Sequence, residues 1–156
     1  MIPFFPYKLF FLYIEPIAAL GGAYYAGLLP KTYLADLVLT PNASSPKPSV
    51  LPAPVLVTLY QLSNLYLLFA INEYLVLSST DSIRTWKRLL FGLLIADFGH
   101  LLSVAPLGMD VYWRLWDWNA MMWGGVGFVY LGAATRISFL LGLGLSGHSV
   151  AARKKA

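Results

Sequence analysis

Asp97 and His100 stand three residues apart in "IADFGHLL" (95–102), inside an apolar run from Leu89 to Leu107. Residues three apart on a helix share a face. A carboxyl group desolvated in an apolar pocket can hold a proton at neutral pH and donate it. A nearby imidazole can take the opposite role. The pair thus has the residue types and spacing of an acid–base site. Three more ionisable groups keep equally apolar company: Glu15 in "FFLYIEPIAAL", Glu73 in "LLFAINEYLVL" and Arg136 in "GAATRISFL". Buried charges of this kind are expensive in an apolar medium and are functional candidates by default.

Arg136 has a simpler reading. A buried guanidinium needs acidic partners, and its planar fork suits carboxylates. We therefore expect Arg136 to form a structural ion pair with Glu15, Glu73 or both. One arginine facing two glutamates leaves a carboxyl group to spare, which would be neutral or would bind a ligand. Amides add to the set. Gln61, Asn64 and Asn72 share one helix face, and Asn64 and Asn72 are candidate substrate-binding residues. Trp116, Asn119, Trp123 and Tyr130 fall within about 60° of arc at helical periodicity. Such a stripe packs a core or walls a pocket, so Asn119, Trp123 and Tyr130 join the substrate-binding candidates. Trp123 and Tyr130 could steady a cation through their ring faces.

The elements that must hold these groups follow from composition. The chain has 156 residues, of which 58% are hydrophobic and only 12% charged, with a mean hydropathy of +0.66. A soluble domain carries about 25% charged residues. The apolar residues come in blocks of the length a bilayer needs, about 20 residues. They predict spans over 10–28, 54–77, 89–104 and 118–143, all helical because unpaired backbone groups are too costly in hydrocarbon. The expected fold is an all-α, integral membrane four-helix bundle filling the whole chain as one domain. Counting 1.5 Å per residue along each helix gives two polar layers. Glu15, Asn72, Glu73 and Arg136 fall toward one face of the membrane; Gln61, Asn64, Asp97 and His100 fall near its middle.

Between the spans, residues 30–53 read as a Pro/Ser-rich extended loop, and 145–156 as a basic tail. Glu15-Pro16 interrupts the first span where a cleaved signal would need an unbroken apolar region, so it reads as a first transmembrane helix kinked at Pro16. Asp81 is placed to cap the third helix. Tyr112, Trp113, Trp116 and Trp118 fit an interfacial aromatic belt. Lys8, Arg84, Lys87, Arg88, Arg153, Lys154 and Lys155 fall on one side, against Lys31, Lys47 and Arg114 on the other. The basic side is expected to be cytosolic, with both termini there. The glycosylation sequon at Asn42 then lands on the lumenal side. The ending "RKKA" resembles a dilysine-type retrieval signal, which points to the endoplasmic reticulum or another endomembrane.

Several classes are excluded. There is no cysteine, hence no disulfide, thiolate metal site or cysteine nucleophile. His100 and His148 are the only histidines, without the paired spacing of a zinc helix, so no metal and no cofactor are expected. No Ser sits in a nucleophile elbow. "GGVG" (124–127) lies in an apolar helix, where close helix packing explains it better than a phosphate loop. No basic surface suits a nucleic acid. The expected partners are a lipophilic small molecule, the bilayer, and a second copy or another membrane protein.

The blocks "LFFLYIEPIAALGGAYYA", "QLSNLYLLFAINEYLVL", "LLFGLLIADFGHL" and "WNAMMWGGVGFVYLGAATRISFL" resemble a family of small, largely uncharacterised fungal four-helix membrane proteins. The resemblance implies a fungal endomembrane protein connected with secondary metabolism. More loosely, the architecture is similar to the emopamil-binding and sigma-2 receptor group and to fungal membrane-bound cyclases and epoxide hydrolases, which implies acid–base chemistry on a lipophilic substrate. The functional expectation is a membrane-embedded enzyme that opens an epoxide, cyclises or isomerises a lipophilic metabolite. In that reading Asp97 is the proton donor, His100 its partner, and Glu73 or Glu15 the second carboxyl group. The alternative is a non-enzymatic lipid- or sterol-binding protein, or an assembly factor.

Overall fold

The structure, a computed structural model, describes residues 5–37 and 50–145. Asn42, Lys47, His148 and the basic residues Arg153, Lys154 and Lys155 lie outside the described residues. The fold is all-α. Helix α1 is Phe5–Leu28, and it contains a widened π turn over Phe10–Ile14. There the Glu15 N–H reaches back to the Phe10 carbonyl. Pro16 explains the widening: it has no N–H to donate, and its ring would collide with the carbonyl of Leu12 in a regular turn. The sequence predicts a kink at Pro16; the turn that precedes the proline is widened, which re-aims Glu15.

Helix α2, Pro30–Asp36, occupies the start of the stretch expected to be an extended loop. Pro30 stands in the first turn, where its preset φ favours a helix. Tyr33 then holds the short helix down, packed with Ala26, Leu51 and Leu59. Helix α3 is Ala53–Ser78 and helix α4 is Ile83–Ser103. The α4 cap is Ser82 rather than Asp81: its hydroxyl accepts from the Thr85 N–H at 3.3 Å. Asp81 lies 3.8 Å from the Lys8 ammonium instead. Arg84, Lys87 and Arg88 are good helix formers, so α4 begins before its apolar run does. Three 3₁₀ turns follow, over Ala105–Leu107, Met109–Tyr112 and Leu115–Asp117. Helix α5 spans 120–140 and has a second π turn at Trp123–Gly127.

Among the described residues, three helices are long and apolar enough to cross a membrane: Phe5–Leu28, Ala53–Ser78 and Ile83–Leu107. α5 falls short of that measure, with Arg136 in it and a Gly- and Trp-rich first half. The distribution of residues is that of a membrane protein. Leu65, Leu68, Phe91, Ile95, Phe98 and Leu102 point outward, while the buried polar residues include two glutamates, an aspartate and an arginine. That is the reverse of a water-soluble core.

The helices associate as two pairs. α1 lies along α3, and α4 along α5. Ala19, Ala23 and Ala26 of α1 are buried, and small residues let two helix backbones approach closely. Gly27 is needed for this approach, since a Cβ there would sit 2.6 Å from the Ser63 hydroxyl. That hydroxyl donates to the Ala23 carbonyl at 2.7 Å. α3 and α4 touch little. The two pairs are joined at one end by an aromatic cluster of Tyr7, Phe10, Phe11, Leu77, Trp86, Leu90 and Phe139. Beside it sits the charged group described next.

Candidate functional site

Each helix of the two pairs contributes one ionisable side chain to a single buried cluster: Glu15 from α1, Glu73 from α3, Asp97 from α4 and Arg136 from α5. Their exposures are 5%, 1%, 7% and 0%. Arg136 is the hub. Its Nη1 donates to Asp97 Oδ2 at 2.6 Å. Its Nη2 donates to Glu15 Oε1 and lies 3.7 Å from Glu73 Oε1. The last distance is an ion pair and too long for a hydrogen bond. The guanidinium carbon lies 5.8 Å from the Phe11 ring centre and 5.9 Å from that of Phe69. Rings at this range attract a cation through their faces.

Sequence and local structure explain why the guanidinium fits. Helical side chains lean back toward the preceding turn, so Arg136 covers the position four residues earlier. That position is Gly132. A Cβ there would stand 2.8 Å from Arg136 Nη1 and 3.4 Å from Glu15 Oε1. The Gly-x-x-x-Arg spacing was available in the sequence as a sign that the arginine folds down onto its own helix. Gly132→Ala should therefore destabilise the protein, although alanine is the better helix former by about 1 kcal/mol. Overpacking of a tight site costs about 1–3 kcal/mol, and this guanidinium is held by three acids and cannot swing aside. A thermal unfolding curve in detergent checks the sign.

The cluster has more acid than one cation needs. Both oxygens of Glu73, Glu15 Oε2 and Arg136 Nε have no hydrogen-bond partner among the described residues. Buried polar groups are nearly always bonded. Glu73 faces the Glu15 carboxyl group, so two acids enclosed against each other, with one of them left without a hydrogen bond from the guanidinium, are the unusual feature of this protein.

The structure rearranges the other sequence candidates. Asp97 and His100 do not pair. Asp97 turns to Arg136, whereas His100 Nε2 lies 2.9 Å from the Gly125 carbonyl. A carbonyl oxygen only accepts, so the proton is on Nε2. Gly125 is inside the second π turn, where the wider winding frees carbonyls for such bonds. The two expected polar layers thus merge around Arg136 for Asp97 and separate for His100.

Asn64 and Asn72, with Gln61, are exposed on the outside of α3 and away from the cluster. Asn119 precedes α5 and caps it: its Oδ1 accepts from the Met122 N–H at 2.9 Å, and its Nδ2 donates to the Asp36 carbonyl at 2.7 Å. Asp36 in turn accepts from the Tyr25 hydroxyl, so Asn119 ties α5 to the ends of α1 and α2. Trp123 and Tyr130 gather around Trp118, with ring centres 5.0 and 6.3 Å from it. Trp118 is buried, and its indole donates to the Val111 carbonyl at 2.9 Å. Trp113 and Trp116 of the same segment point outward. Trp116 is in a 3₁₀ turn and not on the helical stripe. Phe11, Phe69 and Gly132, which frame the charged cluster, were not among the sequence candidates.

Residues 1–146 match the family model described as a domain of unknown function (DUF7704), and the chain belongs to that family. No curated protein and no solved structure matches it.

Proposed function

We propose that this DUF7704 protein is a membrane-embedded enzyme that performs acid–base chemistry on a lipophilic molecule, with the Glu15–Glu73–Asp97–Arg136 cluster as its reactive centre. The supporting observation is Glu73, fully buried against a second carboxyl group, Glu15, and beside a guanidinium that donates no hydrogen bond to it. An ion pair made only for stability would have its acceptors filled. Glu73 is the proton donor in this reading, in place of Asp97. The proton passes from Glu73 to an epoxide oxygen, alkene or carbonyl. The positive charge that forms is met by the carboxylate of Glu15 and by the face of Phe69, while Asp97 holds the guanidinium in place. Water addition or loss of a substrate proton then returns the proton to Glu73. The molecule enters from the bilayer between the two helix pairs, where α3 and α4 touch little. α5 serves as the fourth span of the bundle, and both ends of the chain face the cytosol of an endomembrane such as the endoplasmic reticulum. Secondary metabolism in a fungus is the setting in which such substrates occur.

The test compares lipophilic metabolites in membranes carrying the wild type and Glu73→Gln, with protein amount measured in both. Accumulation of one compound in the variant at equal protein amount is the expected result, and that compound is the substrate. Identical profiles at equal amount would instead favour the second reading, a lipid- or sterol-binding or assembly protein. One observation speaks for it: Arg136 and Glu73 are shut off from the surface, as side chains that only hold helices together would be.

A further inference from the structure

The buried face of α3 is formed by Leu59, Ala70, Glu73 and Leu77. At 3.6 residues per turn, Gln61, Asn64 and Asn72 lie about 180° away from it. All three are exposed, and none has a side-chain hydrogen bond among the described residues. The middle of a membrane-spanning helix is a poor place for outward amides, because lipid tails offer them no hydrogen bond. The residues around them complete a pattern. Val57, Gln61, Asn64, Leu68, Ile71 and Leu75 follow alternating steps of four and three, the seam of a coiled coil. The four apolar members are exposed by 53%, 49%, 44% and 57% in chain order. α3 thus presents a complete knobs-into-holes seam to the outside, with two amides in it and Asn72 on its flank.

We infer that α3 pairs through this seam with α3 of a second copy of the chain. The amides decide the occupant. Each is both donor and acceptor, so the same residue can bond to itself across a two-fold axis. Two copies inserted in the same orientation are related by an axis along the membrane normal. That symmetry sets α3 against α3 in parallel, with Gln61 facing Gln61 and Asn64 facing Asn64. Buried polar residues at seam positions set register and partner number in such pairs. Lipid satisfies the apolar members but leaves the amides unpaired, and a partner lacking amides at the same depth does the same. The inference stands on the outer face of α3 and does not depend on the chemistry of the buried cluster.

The absence of cysteine allows a direct test in native membranes. Single cysteines are introduced as Leu68→Cys and Ile71→Cys on the seam and as Ile95→Cys on the outer face of α4, then oxidised. Both seam variants should give a disulfide-linked homodimer while Ile95→Cys stays monomeric. Adding Gln61→Leu and Asn64→Leu to Leu68→Cys should lower the linked fraction roughly tenfold at unchanged protein amount, since interhelical amide bonds contribute modestly each. Equal linking from Ile95→Cys, no linking from either seam position, or capture of a chain of different mass would overturn the pairing. So would a linked fraction indifferent to loss of the amides.

Discussion

Arg136→Met should unfold the junction between the two helix pairs, with a loss of about 3–5 kcal/mol, the usual result of removing one partner from a buried ion pair. The substitution keeps much of the side-chain volume and removes the charge. Glu15, Glu73 and Asp97 then remain enclosed together without a cation, and like charges in a low dielectric repel strongly. The loss falls on the contact between α1–α3 and α4–α5, because each pair supplies two of the four groups and α3 and α4 otherwise touch little. Arg136→Lys should recover only part of the stability. An ammonium is a compact point charge without the fork that lets one guanidinium address Asp97 through Nη1 and Glu15 through Nη2. The control is an apolar cluster: Arg136→Met with Glu15→Met, Glu73→Met and Asp97→Leu should regain most of the loss, as well-packed apolar replacements of buried ion networks often do. Unfolding in detergent and protein amount in membranes report both effects. An Arg136→Met protein as stable as the wild type would show that the cluster does not hold the pairs together.

The cluster is only partly readable from sequence, and the reason is geometric. That Arg136 needs acids follows from its apolar surroundings, and depth can be counted along each helix. Glu15, Glu73 and Arg136 fall in one layer by that count. Asp97 does not, because the count assumes regular helices of equal tilt. The π turn at Phe10–Ile14 shifts what Glu15 faces, and the Arg136 side chain leans back by a turn onto Gly132. Rotation about each helix axis is a property of packing between helices. Period alone puts Gln61, Asn64 and Asn72 on one face of α3 but does not say whether that face is inward. The small residues of α1 decide it by drawing Leu59, Ser63 and Ala70 toward them. The same limit applies to Asp97 and His100. A shared helix face brings them to the same neighbours only if one helix lies opposite, and here Arg136 and Gly125 present different partners on α5. Helix starts suffer from a different omission: hydropathy marks the apolar run of α4 and misses its charged first turns, which Ser82 caps. In α2 the turn-forming look of Pro30 hides its value as a helix starter.

Glu73→Gln should abolish turnover, by a factor of about 10²–10⁴ as expected for loss of a general acid, while leaving the fold intact. The substitution is nearly isosteric. An amide can still donate to the Glu15 carboxylate that Glu73 faces, and the contact of Glu73 with Arg136 is the longest of the three. Asp97→Asn should behave in the opposite way. Asp97 accepts a 2.6 Å bond from the guanidinium, and bonds to charged groups are worth about 1.5–3 kcal/mol. Its loss should appear as reduced protein amount and a lower unfolding temperature, with specific activity per folded molecule largely kept. The two variants therefore separate proton transfer from helix clamping within one cluster. Asp97→Asn with normal stability and no turnover would return the donor role to Asp97. Glu73→Gln with normal turnover at normal protein amount would remove the reactive carboxyl group from the mechanism and leave the cluster as a clamp between the two helix pairs.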